Sequence, residues 1–222
     1  MQKVRIVTDT TADLPKEVAA EHDITVVPLI VNFGTETYLD RELDNDTFWE
    51  KATVIHPQSS QPPVGAFEEA FAPLVEASFD VICLTVTSKH SGTYNSACAA
   101  AAGFPEGRVA VFDSLSLSLG QGVQVLEGAR RAEAGASLEE VVRHLHDVRS
   151  RVHVRILLNT LEYLERGGRA AALMPVVKRG ARALNIKPLL SLVDGELKLL
   201  GAARSYEKGL QRLLDEAKAL AP

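Results

Sequence analysis

The stretch that most constrains this chain runs from Asp80 to Ala97 and joins an apolar segment to a glycine- and hydroxyl-rich one. Residues 80–87 are apolar and rich in β-branched side chains, which is typical of a strand buried on both faces of a parallel sheet. Small polar residues follow from Ser88, and the alanine-rich run after them predicts a helix with Ser91 at or just before its cap. A buried parallel strand leading into a helix indicates an α/β fold.

The start of that helix is a candidate anion site. Its free backbone N–H groups and the positive end of the helix dipole face the region beyond the sheet. Ser91, Gly92 and Thr93 stand at this point of the sequence. The simpler alternative is that Ser91 and Thr93 only cap their own helix, which is a far commoner role for hydroxyl residues at a helix start.

Strand and helix patterns alternate over residues 1–150, which predicts an N-terminal domain of three layers, α/β/α, around a parallel sheet. Within it, Ile24–Phe33 is expected to form one continuous strand, and residues 115–134 one helix. Residues 56–63 are expected to be an irregular break, because their prolines and serines precede a strong helix start.

The pattern changes after residue 150. Residues 151–222 are predicted to form a second, α+β domain with a mixed sheet. Its elements are a strand, a short helix, a helix over 174–184, a hairpin turning at Asp194-Gly195 and a closing amphipathic helix over 206–220. No repeat, low-complexity segment or long linker interrupts the chain.

Composition and charge argue against a nucleic-acid-binding, disulfide-bonded or membrane-spanning protein. A net charge of −5 without a basic run argues against nucleic acid as a partner. Cys83 lies in the predicted buried strand and Cys98 in the alanine-rich helix, so we expect two reduced cysteines rather than a disulfide or a metal site. No signal peptide is expected, and no apolar stretch approaches the ~20 residues of a membrane helix. The expected location is the cytoplasm, with transient membrane contact allowed but no insertion.

Two predicted strands end on an aspartate, one on Asp9 and the other on Asp113, which Ser114 follows. Ligands of parallel sheets bind beyond the carboxyl ends of the strands, so these residues could belong to a site. An aspartate at such an end more often caps the next helix or ties loops together, and we favour this structural role. The alternative is a small-molecule hydrolase or transferase that uses Ser91, with Asp9 or Asp113 as its partner. His90 adjoins Ser91 but is poorly placed to act as its base.

Other motifs give weaker signals. No Walker A loop or G-x-S-x-G elbow is present. His144 and His146 fall on different faces of a predicted helix and do not form a metal-ligand pair. Arg166 and Arg169 flank a Gly-Gly turn, where they are either solvated or able to grip a carboxylate or phosphate. We therefore expect no catalytic set, no metal and no cofactor.

Several of these pieces together resemble one family. In chain order they are TDTTAD at 8–13, SSQP at 59–62, SKHSGTYNSA at 88–97, DS at 113–114 and L-x-YL-x-x-GGR at 161–169. They are similar to the motifs of the DegV family and occur in that family's order. The resemblance covers the whole chain.

The resemblance implies two α/β domains that hold one long-chain fatty acid between them. The carboxylate would be bound by two hydroxyls, those of Ser59 and Ser91, with Ser60, Gly92 and Thr93 beside them. Such carriers have no catalytic groups and present the fatty acid to a separate fatty acid kinase, which makes the acyl phosphate with ATP.

The resemblance also implies residues that face a partner, and the chain differs from the family's pattern at two points. Arg169 and Arg204 are expected on the rim near the carboxylate, facing the kinase. Ser59 stands where the family usually has threonine, which keeps the hydroxyl. The chain stops at Pro222, whereas family members normally continue with another strand–helix unit, so the second domain is expected to be short. A binding module for another anionic metabolite remains a third class.

Overall fold

The computed structural model describes residues 3–160, 162–167 and 186–220. The chain divides into two compact units, Met1–Val152 and His153–Pro222. Within the described ranges, no helix combines the length and the apolar character that crossing a membrane requires.

The first unit alternates strands and helices along most of its length. Its strands are β1 (Val4–Asp9), β2 (Thr25–Val27), β3 (Ile30–Phe33), β4 (Glu36–Leu39), β5 (Gln58–Ser60), β6 (Asp80–Thr85) and β7 (Val109–Asp113). Its helices are α1 (Lys16–Glu21), α2 (Asn45–Val54), α3 (Val64–Glu76), α4 (Thr93–Ala101), α5 (Leu119–Glu133) and α6 (Leu138–Arg151). A 3-10 turn, Thr10–Ala12, follows β1.

A four-stranded parallel sheet, ordered β2-β1-β6-β7, forms the centre of this unit. Val4 pairs with Asp80 at one end of the sheet, and Thr85 pairs with Asp113 at the other. Because the strands are parallel, the loops that follow β1, β6 and β7 meet at one edge. This carboxyl edge carries the hydroxyl-rich loop between β6 and α4.

Helices cover both faces of the parallel sheet. Phe67 and Phe71 of α3 pack with Ala97 of α4 on one face, and Val125 of α5 packs with Leu145 of α6 on the other. All five side chains are fully buried. Each face of a parallel sheet must be covered because its strands are apolar on both sides. The predicted α/β architecture around a parallel sheet is confirmed.

A second, antiparallel sheet in this unit, ordered β4-β3-β5, differs from the sequence prediction. The predicted strand Ile24–Phe33 is two strands in two different sheets, β2 and β3. Pro28 lies between them, has no backbone N–H to give to a ladder, and so marks the point where the chain leaves the parallel sheet. β5 lies where an irregular break was expected.

The helix boundaries follow local chemistry. Ser137 and Glu140 form a capping box at the start of α6, with Glu140 Oε2 accepting a 2.8 Å hydrogen bond from Ser137 N. Helix α5 begins at Leu119 rather than at the predicted residue 115. Leu115 and Ser118 adopt φ angles of 47° and 52°, which an α-helix does not tolerate.

The second unit is an antiparallel sheet with a helix against it. Its described elements are β8 (Arg155–Leu157), α7 (Glu162–Arg166), β9 (Lys187–Val193), β10 (Glu196–Ala203) and α8 (Tyr206–Leu220), with strand order β10-β9-β8. Asp194 and Gly195, with φ of 51° and 80°, form the predicted hairpin turn. Both pairings among these strands are antiparallel, so the mixed sheet expected here is not seen in the described residues. The helix predicted over 174–184 lies outside them.

Candidate functional site

The candidate site is the loop over residues 86–92, between β6 and α4. A backbone hydrogen bond ties the loop to the segment after β7, with Thr87 N donating to Ser116 O at 2.8 Å, and a second one closes a turn within the loop, with His90 N donating to Thr87 O at 3.3 Å. Because β6 is an inner strand of the sheet, the loop lies above the middle of the carboxyl edge. It delivers Ser91 to the start of α4.

Two hydroxyls meet at the start of α4. Ser91 Oγ lies 2.8 Å from Thr93 Oγ1 and accepts a 3.3 Å hydrogen bond from Thr93 N. Thr93 is fully buried, whereas Ser91 is half-buried. The N-cap residue is Gly92, which has no side chain to accept hydrogen bonds from the first turn. The helix start therefore combines backbone N–H donors with a half-buried hydroxyl, a combination that suits an anion.

The second hydroxyl segment is β5, an edge strand of the antiparallel sheet. Ser59 pairs with Val31 and Ser60 with Ile30, and both serines are exposed. Neighbouring side chains on a strand point to opposite faces, so the two hydroxyls lie on opposite sides of β5. Ser60 Oγ accepts a 3.4 Å hydrogen bond from Asn32 Nδ2.

Gln61 connects β5 to the start of α4. Its Nε2 donates a 2.8 Å hydrogen bond to Ser96 Oγ, in the first turn of the helix. A residue before proline favours extended backbone, and Pro62 follows Gln61. Ser59 and Gln61, two positions apart, should therefore point to the same side, the side of α4. The structure thus brings the Ser59 and Ser91 segments together through a residue that the sequence analysis gave no role.

Asp9 is fully buried and accepts hydrogen bonds through both carboxylate oxygens. Oδ1 accepts from the backbone N–H of Thr11 at 2.9 Å and from the Thr11 hydroxyl, and Oδ2 accepts from Val86 N at 2.8 Å. Burial raises the pKa of this carboxyl, and the hydrogen bonds from Thr11 and Val86 offset only part of the rise. Asp9 thereby ties the end of β1 to the first residue of the site loop.

Asp113 makes similar contacts at the end of β7. Its carboxylate accepts from Ser88 N at 3.2 and 3.3 Å and from Leu115 N at 3.0 Å. Its backbone oxygen accepts a 2.8 Å hydrogen bond from Arg149. Ser114 is fully buried, and its hydroxyl donates to Ser116 O at 3.2 Å. Asp113 and Asp9 therefore hold the site loop by two of its backbone amides.

These contacts bear on the hydrolase alternative. The described hydrogen-bond partners of Ser91 Oγ are the hydroxyl and the backbone N–H of Thr93, two neutral groups that cannot act as a general base. The carboxylates of Asp9 and Asp113 accept hydrogen bonds from the backbone amides of Val86 and Ser88, and no described hydrogen bond joins either carboxylate to Ser91. Among the described residues, no cluster of three or more His, Cys, Asp or Glu side chains is arranged for a metal ion.

The two cysteines lie in β6 and in α4. Cys83 is fully buried in β6, and burial raises the pKa of its thiol well above the usual value. Cys98 is half-buried, and its hydrogen bond with Tyr94 is the main reason that the pKa of Tyr94 is raised. A thiol that stays protonated is a weak nucleophile, so Cys83 is a packing residue.

The predicted arginines lie in the second unit. Arg204 is exposed and follows β10 directly, and Arg166 is exposed at the end of α7. Arg169 lies outside the described residues. The contact of any of these arginines with a ligand or partner stays a prediction.

An apolar groove of about 480 Å³ opens elsewhere on the first unit, beside α1 and β2. Leu14, Ala19 and Ile24 line it, and these residues belong to the core on the α5 and α6 face of the parallel sheet. Ala97 of α4 belongs to the core on the opposite face. No residue of the site loop lines this groove.

Sequence comparison identifies relatives across the whole chain. A family model described as "Uncharacterised protein, DegV family" matches residues 3–221. The chain is 34% identical over 220 residues to a DegV domain-containing protein of Caldanaerobacter subterraneus, covering 98% of this chain and 78% of that protein. It is 37% identical over 217 residues to one from Halalkalibacterium halodurans, covering 96% and 76%.

The descriptions of several solved structures with the same fold mention fatty acid binding. A DegV family protein from Thermus thermophilus, described for fatty acid binding, matches with a TM-score of 0.87 and 36% identity over 99% of this chain and 78% of that one. DegV from Bacillus subtilis, described as a fatty acid binding protein, matches with a TM-score of 0.87 and 30% identity over 99% and 78%. A stearic acid-binding protein from Eubacterium ventriosum matches with a TM-score of 0.82 and 29% identity over 99% and 76%.

Proposed function

Because this chain belongs to the DegV family, we propose that it binds one long-chain fatty acid, with the carboxylate at the start of α4. Relatives from Thermus thermophilus and Bacillus subtilis are described as fatty acid binding, at 36% and 30% identity to this chain. The relative from Eubacterium ventriosum is described as stearic acid-binding. A long saturated acid is therefore the ligand class to test first.

The observation that carries the proposal is the meeting of β5 and the start of α4. The hydrogen bond from Gln61 to Ser96 joins the two segments that supply Ser59 and Ser91. Two neutral hydroxyls and the first-turn N–H groups can hold a carboxylate by charge-assisted hydrogen bonds. They do so without a buried ion pair, which suits a carboxylate that must later be released. The proposal uses Ser59 rather than Ser60, whose side chain points to the other face of β5.

The hydrocarbon tail supplies most of the affinity in this proposal. Burying methylene groups contributes ~0.8 kcal/mol each, so a tail of about 16 carbons offers on the order of 10 kcal/mol before ordering costs. The hydroxyl contacts then mainly set orientation and the preference for a carboxylate. A position of the ligand between the two units stays a prediction from the family resemblance.

The proposal includes a separate fatty acid kinase as partner, in the cytoplasm, with this chain as the non-catalytic carrier. Asp9 and Asp113 would serve only to position the site loop. Arg169 and Arg204 would lie on the rim and meet the acidic or phosphate-bearing face of the kinase. Because rim charges mainly change the association rate and its salt dependence, Arg169→Ala should weaken kinase coupling more than fatty acid binding. Equal loss of both would make Arg169 a direct ligand.

The test is mass spectrometry of organic extracts from the purified, denatured protein. The expected result is a stoichiometric long-chain fatty acid, and a smaller amount of it in extracts of a Ser59→Ala/Ser91→Ala protein. Thr47→Ala serves as a control, because this hydroxyl lies on α2 and donates a hydrogen bond to Asp44. An extract without fatty acid, together with binding of inorganic phosphate, would favour a module for another anion. Ester hydrolysis that depends on Ser91 would favour a hydrolase.

A further inference from the structure

The side chain of Gln61 occupies the space in which any other residue at position 92 would place its Cβ. A Cβ built on Gly92 would lie 1.7 Å from Gln61 Oε1 and 2.6 Å from its Cδ. The backbone at Gly92 has φ −79° and ψ 0°, which any residue can adopt. The glycine is therefore needed for the approach of Gln61 and not for backbone conformation.

The other end of the same contact is a buried hydroxyl. Ser96 is 4% exposed and accepts the 2.8 Å hydrogen bond from Gln61 Nε2. Gly92 and Ser96 are four residues apart, so they lie on one face of the first turn of α4. The amide of Gln61 thus lies along that face, passing over Gly92 to reach Ser96.

We propose that Gln61, Gly92 and Ser96 form a latch that fixes the spacing between the Ser59 and Ser91 hydroxyls and so determines the preference for a carboxylate headgroup. This inference rests on the proposed function. Ser59 lies two residues before Gln61 in an extended segment, and Ser91 lies one residue before Gly92. A shift of β5 relative to α4 changes the distance between the two hydroxyls directly. Gln61 is a positioning residue in this scheme, because it acts through the two serines.

The latch acts on the polar end of the ligand alone. Its three residues, Gln61, Gly92 and Ser96, meet at the helix start, and none of them lines the apolar groove beside α1 and β2. Loss of the latch should therefore weaken binding of a fatty acid while leaving the binding of the matched fatty alcohol unchanged. A residue that only stabilises the fold would change both affinities together.

The experiment measures the affinity of stearic acid and of stearyl alcohol for the wild type and four variants by competition with a fluorescent fatty acid probe. Gln61→Ala should weaken acid binding about tenfold, as expected for one hydrogen bond of ~1.4 kcal/mol, and leave alcohol binding unchanged. Gly92→Ala should give the same pattern, because its Cβ displaces the Gln61 amide. Gln58→Ala, an exposed neighbour on β5, should match the wild type.

The Gln61→Ala/Gly92→Ala double variant tests the latch most directly. In the Gln61→Ala background the obstruction is gone, so adding Gly92→Ala should cause no further loss of acid binding and no further loss of stability in urea. Additive losses in the double variant, or equal loss of acid and alcohol binding, would overturn the latch. Urea unfolding of these variants requires no ligand. If the wild type binds neither the acid nor the alcohol, the proposed function fails, and the unfolding measurements still test whether Gln61 and Gly92 act together.

Discussion

Replacing Asp9 by asparagine tests whether the acid at the end of β1 holds the site loop. The two carboxylate oxygens of Asp9 accept hydrogen bonds from Thr11 and from the buried Val86 N–H. An asparagine can keep its amide oxygen toward Thr11, but its NH₂ group then faces the Val86 N–H. One buried donor loses its acceptor, so Asp9→Asn should lower the free energy of unfolding by about 1–3 kcal/mol at neutral pH.

The pH dependence of this loss has a definite sign. Burial raises the pKa of Asp9 above its ordinary value, so ionised Asp9 costs the folded state free energy. The contribution of Asp9 is complete below its unfolded-state pKa and is lost as the pH rises through its folded-state pKa. The gap in stability between wild type and Asp9→Asn should therefore widen as the pH falls from 7.5 toward the acid range.

Urea unfolding at several pH values, followed by circular dichroism, measures both quantities. Asp44→Asn is the control with the opposite sign. Asp44 is an exposed N-cap whose pKa is lowered by hydrogen bonds from Thr47, so its gap should shrink as the pH falls. An Asp9→Asn protein as stable as wild type would refute the structural role. A gap that narrows in acid would mean that hydrogen bonding outweighs burial at Asp9.

Three further predictions concern packing and ion pairs within the first unit and are read from urea unfolding midpoints. Gly122→Ala should lose about 1–3 kcal/mol, because its Cβ would lie 2.6 Å from a backbone carbonyl oxygen. Gly65→Ala, with nothing within 4 Å of its Cβ, should gain about 0.4–1 kcal/mol, and a loss there would contradict the steric reasoning. Arg108→Ala should lose about 1.5–3 kcal/mol with its half-buried ion pair, whereas Arg143→Ala, in an exposed pair, should change little.

The sequence predicted the parallel α/β core because its signals are local. The strand over residues 80–85 and the helix after Ser91 each follow from neighbouring residues. The single strand predicted over Ile24–Phe33 was wrong, because its apolar run continues across a proline that divides two sheets. Periodicity alone does not register such a change of sheet.

The candidate site was predictable in its parts and not in its assembly. Ser59 and Ser91 were identified by motif resemblance, and Ser91 lies just before the N-cap as expected. The sequence predicts an irregular break where β5 lies, because the pairing of β5 with β3 depends on residues far away in sequence. Gln61 was missed for the same reason. A glycine at position 92, where the helix cap usually carries a side chain, was the one local signal of a close approach.

Titrating a fluorescent long-chain fatty acid into wild type, Ser91→Ala, Ser59→Ala and Ser59→Thr tests the central claim most directly. Each hydroxyl contact with a carboxylate contributes roughly 1.5–3 kcal/mol, so Ser91→Ala should weaken binding about 10- to 100-fold. Ser59→Thr should change little, because the hydroxyl remains, and the double alanine variant should fold and keep residual affinity through the tail. Unchanged affinity in Ser91→Ala, together with esterase activity in the wild type, would contradict the carrier function.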